Sequence, residues 1–176
     1  MDRLISSTLV QVKAGADAIA LDLREFPARR AIEAAVGLNA LAAGKKGVTL
    51  AAAGDGGIAL RGDEDRVIEA LDNLIVNAVK YSRAGQRVEI DARLEADAVE
   101  FQVRDEGQGL TPEDCARAFR QFQRLSAKPT AGETSTGLGL AIVRAIAEAH
   151  GGTARVASPG RGKGATFTLS LPRLLV

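Results

Sequence analysis

Four polar residues, Glu69, Asn73, Asn77 and Lys80, recur at steps of four, four and three along one stretch of this 176-residue chain. On a helix that spacing forms one continuous ridge. Two amides and an ammonium on the edge of an otherwise apolar helix suit a site for phosphate and a hard cation. The plainer alternative is a solvated outer face. A second string, D-x-G-x-G, carries Asp105, Gly107 and Gly109. An ionised carboxylate only accepts hydrogen bonds, so Asp105 can take the proton of an exocyclic amine. Adenine offers that amine, whereas guanine presents a carbonyl there and is repelled. Taken alone the string also reads as a glycine-rich turn.

A third string, G-L-G-L over residues 137–140 and preceded by Thr136, runs directly into a helical pattern. Small residues there leave backbone N–H groups exposed at a positive helix end, a natural phosphate cradle; the alternative is a helix entry used only for packing. The polar stretch 125–136 just before it has no apolar period and reads as a mobile loop, able to hinge at Gly132 and Gly137. A last glycine pair, Gly162 and Gly164, enters a strand, where Thr166 can offer a hydroxyl to a base or a bridging water.

These strings need elements to carry them. Residues 65–81 place Ile68, Leu71, Leu74, Ile75, Ala78 and Val79 on one helical face, and Asp63 is positioned to cap that helix. Upstream, residues 18–25 alternate as a strand, Pro27 falls in the first turn of a helix bearing Ile32, Ala35 and Val36, and residues 48–53 form the next strand. Gly54, Gly56 and Gly57 predict a hairpin-type turn into a short strand at 58–61. Downstream, residues 86–94 and 98–104 predict a hairpin, Thr111 with Pro112 starts a helix, and residues 137–150 form another. Strands near 153–157 and 165–171 close the pattern. Three helices, a mixed sheet and one long loop predict an α/β two-layer sandwich.

Composition narrows the function classes. Lys and Arg total 23 against 22 Asp and Glu, too balanced for nucleic acid to be the principal ligand. One cysteine, Cys115, and one histidine, His150, exclude an internal disulfide and a multi-histidine metal site. His150 precedes two glycines at a helix end, a capping or packing position. No apolar run approaches the ~20 residues of a bilayer span. The expectation is a cytoplasmic chain, or the cytoplasmic part of a parent anchored in the inner membrane.

In the order asparagine-bearing helix, D-x-G-x-G, F-x-x-F at Phe119 and Phe122, G-L-G-L and G-x-G-x-T-F, the motifs resemble the catalytic and ATP-binding domain of bacterial sensor histidine kinases, of the gyrase, chaperone and histidine kinase superfamily. The resemblance spans residues 17–172. It implies a Bergerat-type fold, with a mostly antiparallel sheet covered on one face by about three helices. Residues 17–176 are then the catalytic domain, and 1–16 the stub of a dimerisation and phosphotransfer helix, since Leu4, Ile5, Leu9 and Val12 share one helical side.

The resemblance also implies roles. Asn77 coordinates Mg²⁺, Asn73 supports the triphosphate, Lys80 and Tyr81 contact phosphates or ribose, and Asp105 holds the adenine amine of ATP. Gly107, Gly109, Leu110, Thr136, Gly137, Leu138, Gly139 and Leu140 let the nucleotide approach. Lys80, Arg124 and Lys128 are the candidate stabilisers of transferred charge. Ser135 departs from the glycine usual at its position. The implied partners are a histidine-bearing dimerisation domain and, through it, a response regulator; the fragment is expected to be monomeric and its parent a homodimer. Three rivals remain open: an ATPase clamp, which needs a glutamate where Asn73 stands, an anti-sigma-factor-type serine kinase, and a nucleotide-binding docking module without catalysis.

Overall fold

In the computed structural model, which describes residues 19–53, 57–120, 129–130 and 137–173, alternation along three central strands decides what the sheet can hold. Among the described residues are seven strands: β1 (Arg24–Pro27), β2 (Thr49–Ala52), β3 (Ala59–Gly62), β4 (Arg87–Glu95), β5 (Ala98–Asp105), β6 (Thr153–Ala157) and β7 (Ala165–Pro172). Five of them form one sheet in the order β2-β4-β5-β7-β6, with β2 and β4 parallel and the other pairs antiparallel. The register sets Val103 beside Ile90 and Phe167, and Phe101 beside Ala92 and Leu169, all of them buried. The residues between them face the other way. There Arg155 forks onto Glu100 with two bonds of 2.8 Å, and Arg104 reaches Glu89 at 3.5 Å. One face is therefore core and the other a solvated charge ladder, as period-two alternation requires.

The apolar face is covered by α1 (Ala28–Lys46), α2 (Glu64–Tyr81) and α4 (Gly139–Ala149); a single short turn of helix, α3 (Pro112–Arg117), lies outside that layer. This is the predicted two-layer α/β sandwich with a mixed, mostly antiparallel sheet. The central helix α2 buries Val67, Ala70, Leu71, Leu74, Ile75 and Ala78. Burying side chains of that size contributes about 1.5–3 kcal/mol each for the larger ones. A polar tie crosses the α1–α2 interface, where Asn39 donates to Asp72 at 2.7 Å and to the Ala35 carbonyl at 3.0 Å. Burial pushes the Asp72 carboxyl up, and the Asn39 bond pulls it partly back.

Helix ends follow local chemistry. Gly47 takes φ 72° to close α1 and sends its N–H back to the Ala43 and Gly44 carbonyls. Asp63 caps α2 by accepting from the Arg66 N–H at 3.1 Å, and Thr111 caps α3 by accepting from the Asp114 N–H at 3.2 Å. Such caps contribute about 1 kcal/mol each. The β4–β5 hairpin turns at Ala96, whose φ is 49°.

Three expectations need correction. The segment expected as a strand at 18–25 alternates in burial over its described residues, with Ile19 inside and Ala20 and Asp22 exposed, yet these form no strand pair before Arg24. Pro27 does not sit in the first turn of α1; it ends β1 and serves as the N-cap of α1. The glycines at 54–57 do not close a hairpin, because β3 pairs with β1 in a separate two-stranded ribbon while β2 pairs with β4. A glycine-rich turn reverses the chain without naming the strand it will meet. The stub at 1–16 lies outside the described residues.

His150, the C-cap of α4, is 1% exposed. Its Nδ1 lies 2.8 Å from the Ile146 carbonyl and its Nε2 accepts from the Asp63 N–H at 3.0 Å. That pair of bonds requires the neutral Nδ1–H tautomer. Burial pushes the imidazole below its ordinary range, opposed by the Ile146 carbonyl and the Asp63 charge. The unfolded chain therefore takes up a proton near pH 6.5 and the folded chain only at lower pH, so the histidine's contribution is complete above that range and lost as pH falls. His150→Gln keeps an acceptor that cannot titrate. Chemical denaturation at pH 7.5 and pH 5 should show wild type losing more stability on acidification than the variant, and equal losses would remove His150 from the account.

Candidate functional site

The polar ridge on α2 is carried where its helix passes α4. Asn73 donates from Nδ2 to the Glu69 carbonyl at 2.9 Å, which turns its Oδ1 outward. A Cβ built on Gly139 would lie 2.9 Å from that Oδ1 and 3.8 Å from Asn77 Nδ2, so the first residue of α4 rests directly on both amides. Asn77 is half-buried and no hydrogen bond engages its side chain among the described residues. Leu138, the N-cap of α4, supplies no side-chain cap. Among the described residues no side-chain cap is made at the start of this 11-residue helix, which begins beside two asparagines, an arrangement suited to an anion.

The rest of the ridge is more occupied than its spacing suggests. Glu69 pairs with Arg66 at 2.8 Å, both about one-fifth exposed. Lys80 is buried, with its ammonium 6.0 Å from the centre of the Tyr81 ring. Beyond it, the α2 terminus is pinned from two sides: Lys46 donates to the Lys80 carbonyl at 2.7 Å, and the Thr130 hydroxyl lies 2.6 Å from the Ser82 carbonyl. Thr130 belongs to the stretch read as a polar loop, and only the absence of an apolar period marked it.

Asp105 ends β5 and is buried. Its Oδ1 accepts from the Gly107 N–H at 2.9 Å, a second backbone N–H comes from Ala165, and no cation pairs with it among the described residues. Burial pushes its carboxyl up, and the two backbone donors pull it down. A buried carboxylate held by backbone donors, with no counter-ion, keeps acceptor capacity for a ligand donor. Gly107 must be glycine, since a Cβ there would meet the Tyr81 carbonyl at 2.7 Å. Leu110 is buried in the core and Leu140, the second residue of α4, packs against it.

Two loops interlock below Asp105. Gly109 at φ 64° and Gly164 at φ 69° cross so closely that a Cβ on the first would collide with the Gly160 carbonyl and one on the second with the Asp105 carbonyl. Phe119 closes the neighbourhood edge-on against Phe167, with ring centres 6.4 Å apart.

Not every predicted residue arrives. Thr166 pairs with Arg104 in the β5–β7 register, on the charged face away from the helices, so its hydroxyl is not brought to Asp105; Ala165 occupies that position instead. Arg124, Lys128, Phe122, Ser135 and Thr136 lie outside the described residues. Among the described residues no group of three His, Cys, Asp or Glu side chains could hold a metal. Asn77 alone suits an ion that arrives with its own oxygen ligands. Ser158 stands in the turn 158–164 and, following Ala149, His150, Gly151 and Gly152, among the residues that resemble the kinase branch; neither reading gives its hydroxyl a role, although it proves to join both loops.

The family described as histidine kinase-, DNA gyrase B-, and HSP90-like ATPase matches residues 62–175. The sensor-like histidine kinase SenX3 of Mycobacterium tuberculosis is 43% identical over 114 residues, covering 65% of this chain and 28% of that protein. The sensor histidine kinase WalK of Bacillus subtilis is 40% identical over 112 residues, covering 62% of this chain and 18% of that protein. This chain thus spans less than a third of either relative. Full-length ShkA, solved in complex with AMPPNP, superposes with a TM-score of 0.80 at 31% identity, over 94% of this chain and 34% of that one. The catalytic domain of histidine kinase ThkA, at 21% identity and a TM-score of 0.76, covers 88% of this chain and 99% of that domain, a likeness of fold.

The crossing of the two loops makes a stability prediction. Gly164→Ala must either leave φ 69° or push Cβ into the Asp105 backbone, and should lose about 2 kcal/mol or more by chemical denaturation. Gly44→Ala, on α1 with nothing within 4 Å, should gain up to about 1 kcal/mol in the same assay.

Proposed function

The chain belongs to the histidine kinase-, DNA gyrase B-, and HSP90-like ATPase family, and from that premise we propose that it is the catalytic, ATP-binding domain of a two-component sensor histidine kinase. The names of its relatives support this branch. The observation that carries the site is the seating of Gly139 on Asn73 and Asn77, which joins a helix start to two amides at one place. Residues 17–176 would form the catalytic domain and 1–16 the end of the preceding helix.

In this reading the buried Asp105 carboxylate accepts the adenine amine, while the apolar ground around Leu110 and Leu140 receives the base. The N–H groups at the start of α4 take phosphate oxygens, and the Asn77 amide oxygen would be this chain's contribution to holding Mg²⁺, an ion that needs few protein ligands. The metal, when bound, neutralises charge on the phosphates. Lys80 and Tyr81 bound the phosphate and ribose end, and Arg124 is assigned to charge stabilisation. Catalysis is then positioning and charge neutralisation, with the acceptor imidazole supplied by a dimerisation domain elsewhere in the parent homodimer and the phosphoryl group passed on to a response regulator.

The ridge also argues for transfer over hydrolysis. A water-activating base would have to stand at residue 73, and an amide cannot take a proton at neutral pH. Glu69, one helical turn earlier on the same ridge, is committed to Arg66 at 2.8 Å. The parent is expected in the cytoplasm or on the cytoplasmic side of the inner membrane; no helix among the described residues is long and apolar enough to cross one.

The decisive experiment mixes this domain, Mg²⁺ and γ-labelled ATP with the parent's histidine-bearing hairpin. Acid-labile, base-stable label on the hairpin is the expected result. Acid-stable phosphoserine would favour the serine-kinase rival, and rapid release of inorganic phosphate without the hairpin would favour the ATPase. Asn77→Ala should weaken Mg-ATP binding about tenfold or more, about 1.4 kcal/mol, while nucleotide binding in excess chelator changes little; equal losses would remove Asn77 from the metal.

A further inference from the structure

The interlocked loops below Asp105 meet at one hydroxyl. Ser158 Oγ donates to the Gly164 carbonyl at 2.7 Å and accepts from the Leu110 N–H at 3.0 Å and the Gly160 N–H at 3.2 Å. A hydroxyl has one proton and two lone pairs, so these bonds saturate it; the Gly160 carbonyl, 3.4 Å away, receives no proton of its own. Two further backbone bonds clamp the same loops, from Gly162 N–H to the Gln108 carbonyl at 2.6 Å and from Gly164 N–H to the Gly107 carbonyl at 3.2 Å. A path of bonded groups therefore leads from Ser158 through Gly164 to Gly107, and from the Gly107 N–H to Asp105 Oδ1 at 2.9 Å. The contact closes from behind as well, since the Cys115 thiol on α3 lies against the Ser158 backbone.

We propose that Ser158 is a positioning residue for base recognition: its hydroxyl holds residues 105–110 in the one shape that aims the Asp105 carboxylate at the purine amine. The proposal rests on the reading of Asp105 as the adenine acceptor. Glycine at 109, 160, 162 and 164 gives these loops their close approach, but positive φ at four glycines also gives them many ways to relax. A side chain is needed to select one of those ways, and Ser158 is half-buried at the point where both loops can be reached. Removing its oxygen leaves the Leu110 and Gly160 N–H groups without their acceptor and Gly164 without its donor. The loops then drift, and the Gly107 N–H that orients Asp105 drifts with them.

A serine that only packed a turn would lower stability without choosing between nucleotides, so the test compares two purines. ATP carries the amine; inosine triphosphate carries a carbonyl at the same position. Calorimetric titration should find that wild type prefers ATP and that Ser158→Ala loses about tenfold in ATP affinity, while binding of inosine triphosphate changes by less than about twofold. Equal loss for both nucleotides, or an unchanged preference, would overturn the proposal. Should the variant not fold, hydrogen exchange on wild type decides: the Leu110 and Gly160 amides are expected to exchange slowly, and exchange at the rate of open loops would sink the clamp. A wild type with no preference for ATP, or Asp105→Asn binding ATP unchanged, would instead remove the adenine reading itself. That failure is distinguishable, because in it the discrimination is missing before Ser158 is touched.

Discussion

One peptide, at Asp63, sets the distance on which the site depends. Its N–H goes to His150 at the end of α4, while its carboxylate caps α2 through Arg66 and takes the Asp22 N–H at 3.0 Å. The start of α2 and the end of α4 are thereby fastened at one point, and the two helices run back past each other. Asn73 lies ten residues beyond Asp63 and Gly139 eleven residues before His150. At 1.5 Å per residue these lengths are about 15 and 16 Å. Equal arms from a common tie bring Gly139 onto Asn73 with no further device. Gly62 must be small for the same reason, since a Cβ there would stand 3.2 Å from the His150 ring.

The residues of the candidate site were the most legible part of the sequence. Asn73, Asn77, Asp105 and the glycine pairs announce themselves because only a few residue types tolerate those backbone shapes or supply those donors. Helix caps were legible too, at Asp63 and Thr111, because capping is settled within four residues. What could not be read was non-local. Whether β3 meets β2 or β1 depends on strands far along the chain, and a turn sequence carries none of that information. The face of Thr166 follows from its pairing with Arg104, and Lys80 is buried by neighbours brought from other segments. The role of the Ser158 hydroxyl was hidden for the same cause: its three partners lie at 110, 160 and 164, and the decisive one is 48 residues away.

In the proposed reading the two ends of the site are built on different physics. At the base end a carboxylate is buried without a counter-ion, which costs free energy that the Gly107 and Ala165 N–H groups partly offset. At the phosphate end the described residues offer the N–H groups of a helix start and amide oxygens, neutral dipoles that need no partner before a ligand arrives. Selectivity can therefore be rigid at one end while the other remains able to release a product of different charge.

Because β2 and β4 are parallel, the chain between them must cross over, and α2 is part of that crossover. The amides of the site sit on it, fixed in rotation as well as in place. One residue inserted between Asp63 and Asn77 would turn every later side chain by about 100° and carry Asn77 about 1.5 Å along the axis. Length can vary in the loops on either side of this helix, but within it the count is frozen. In descendants of this sequence, indels should stop at Asp63 and resume only after Ser82.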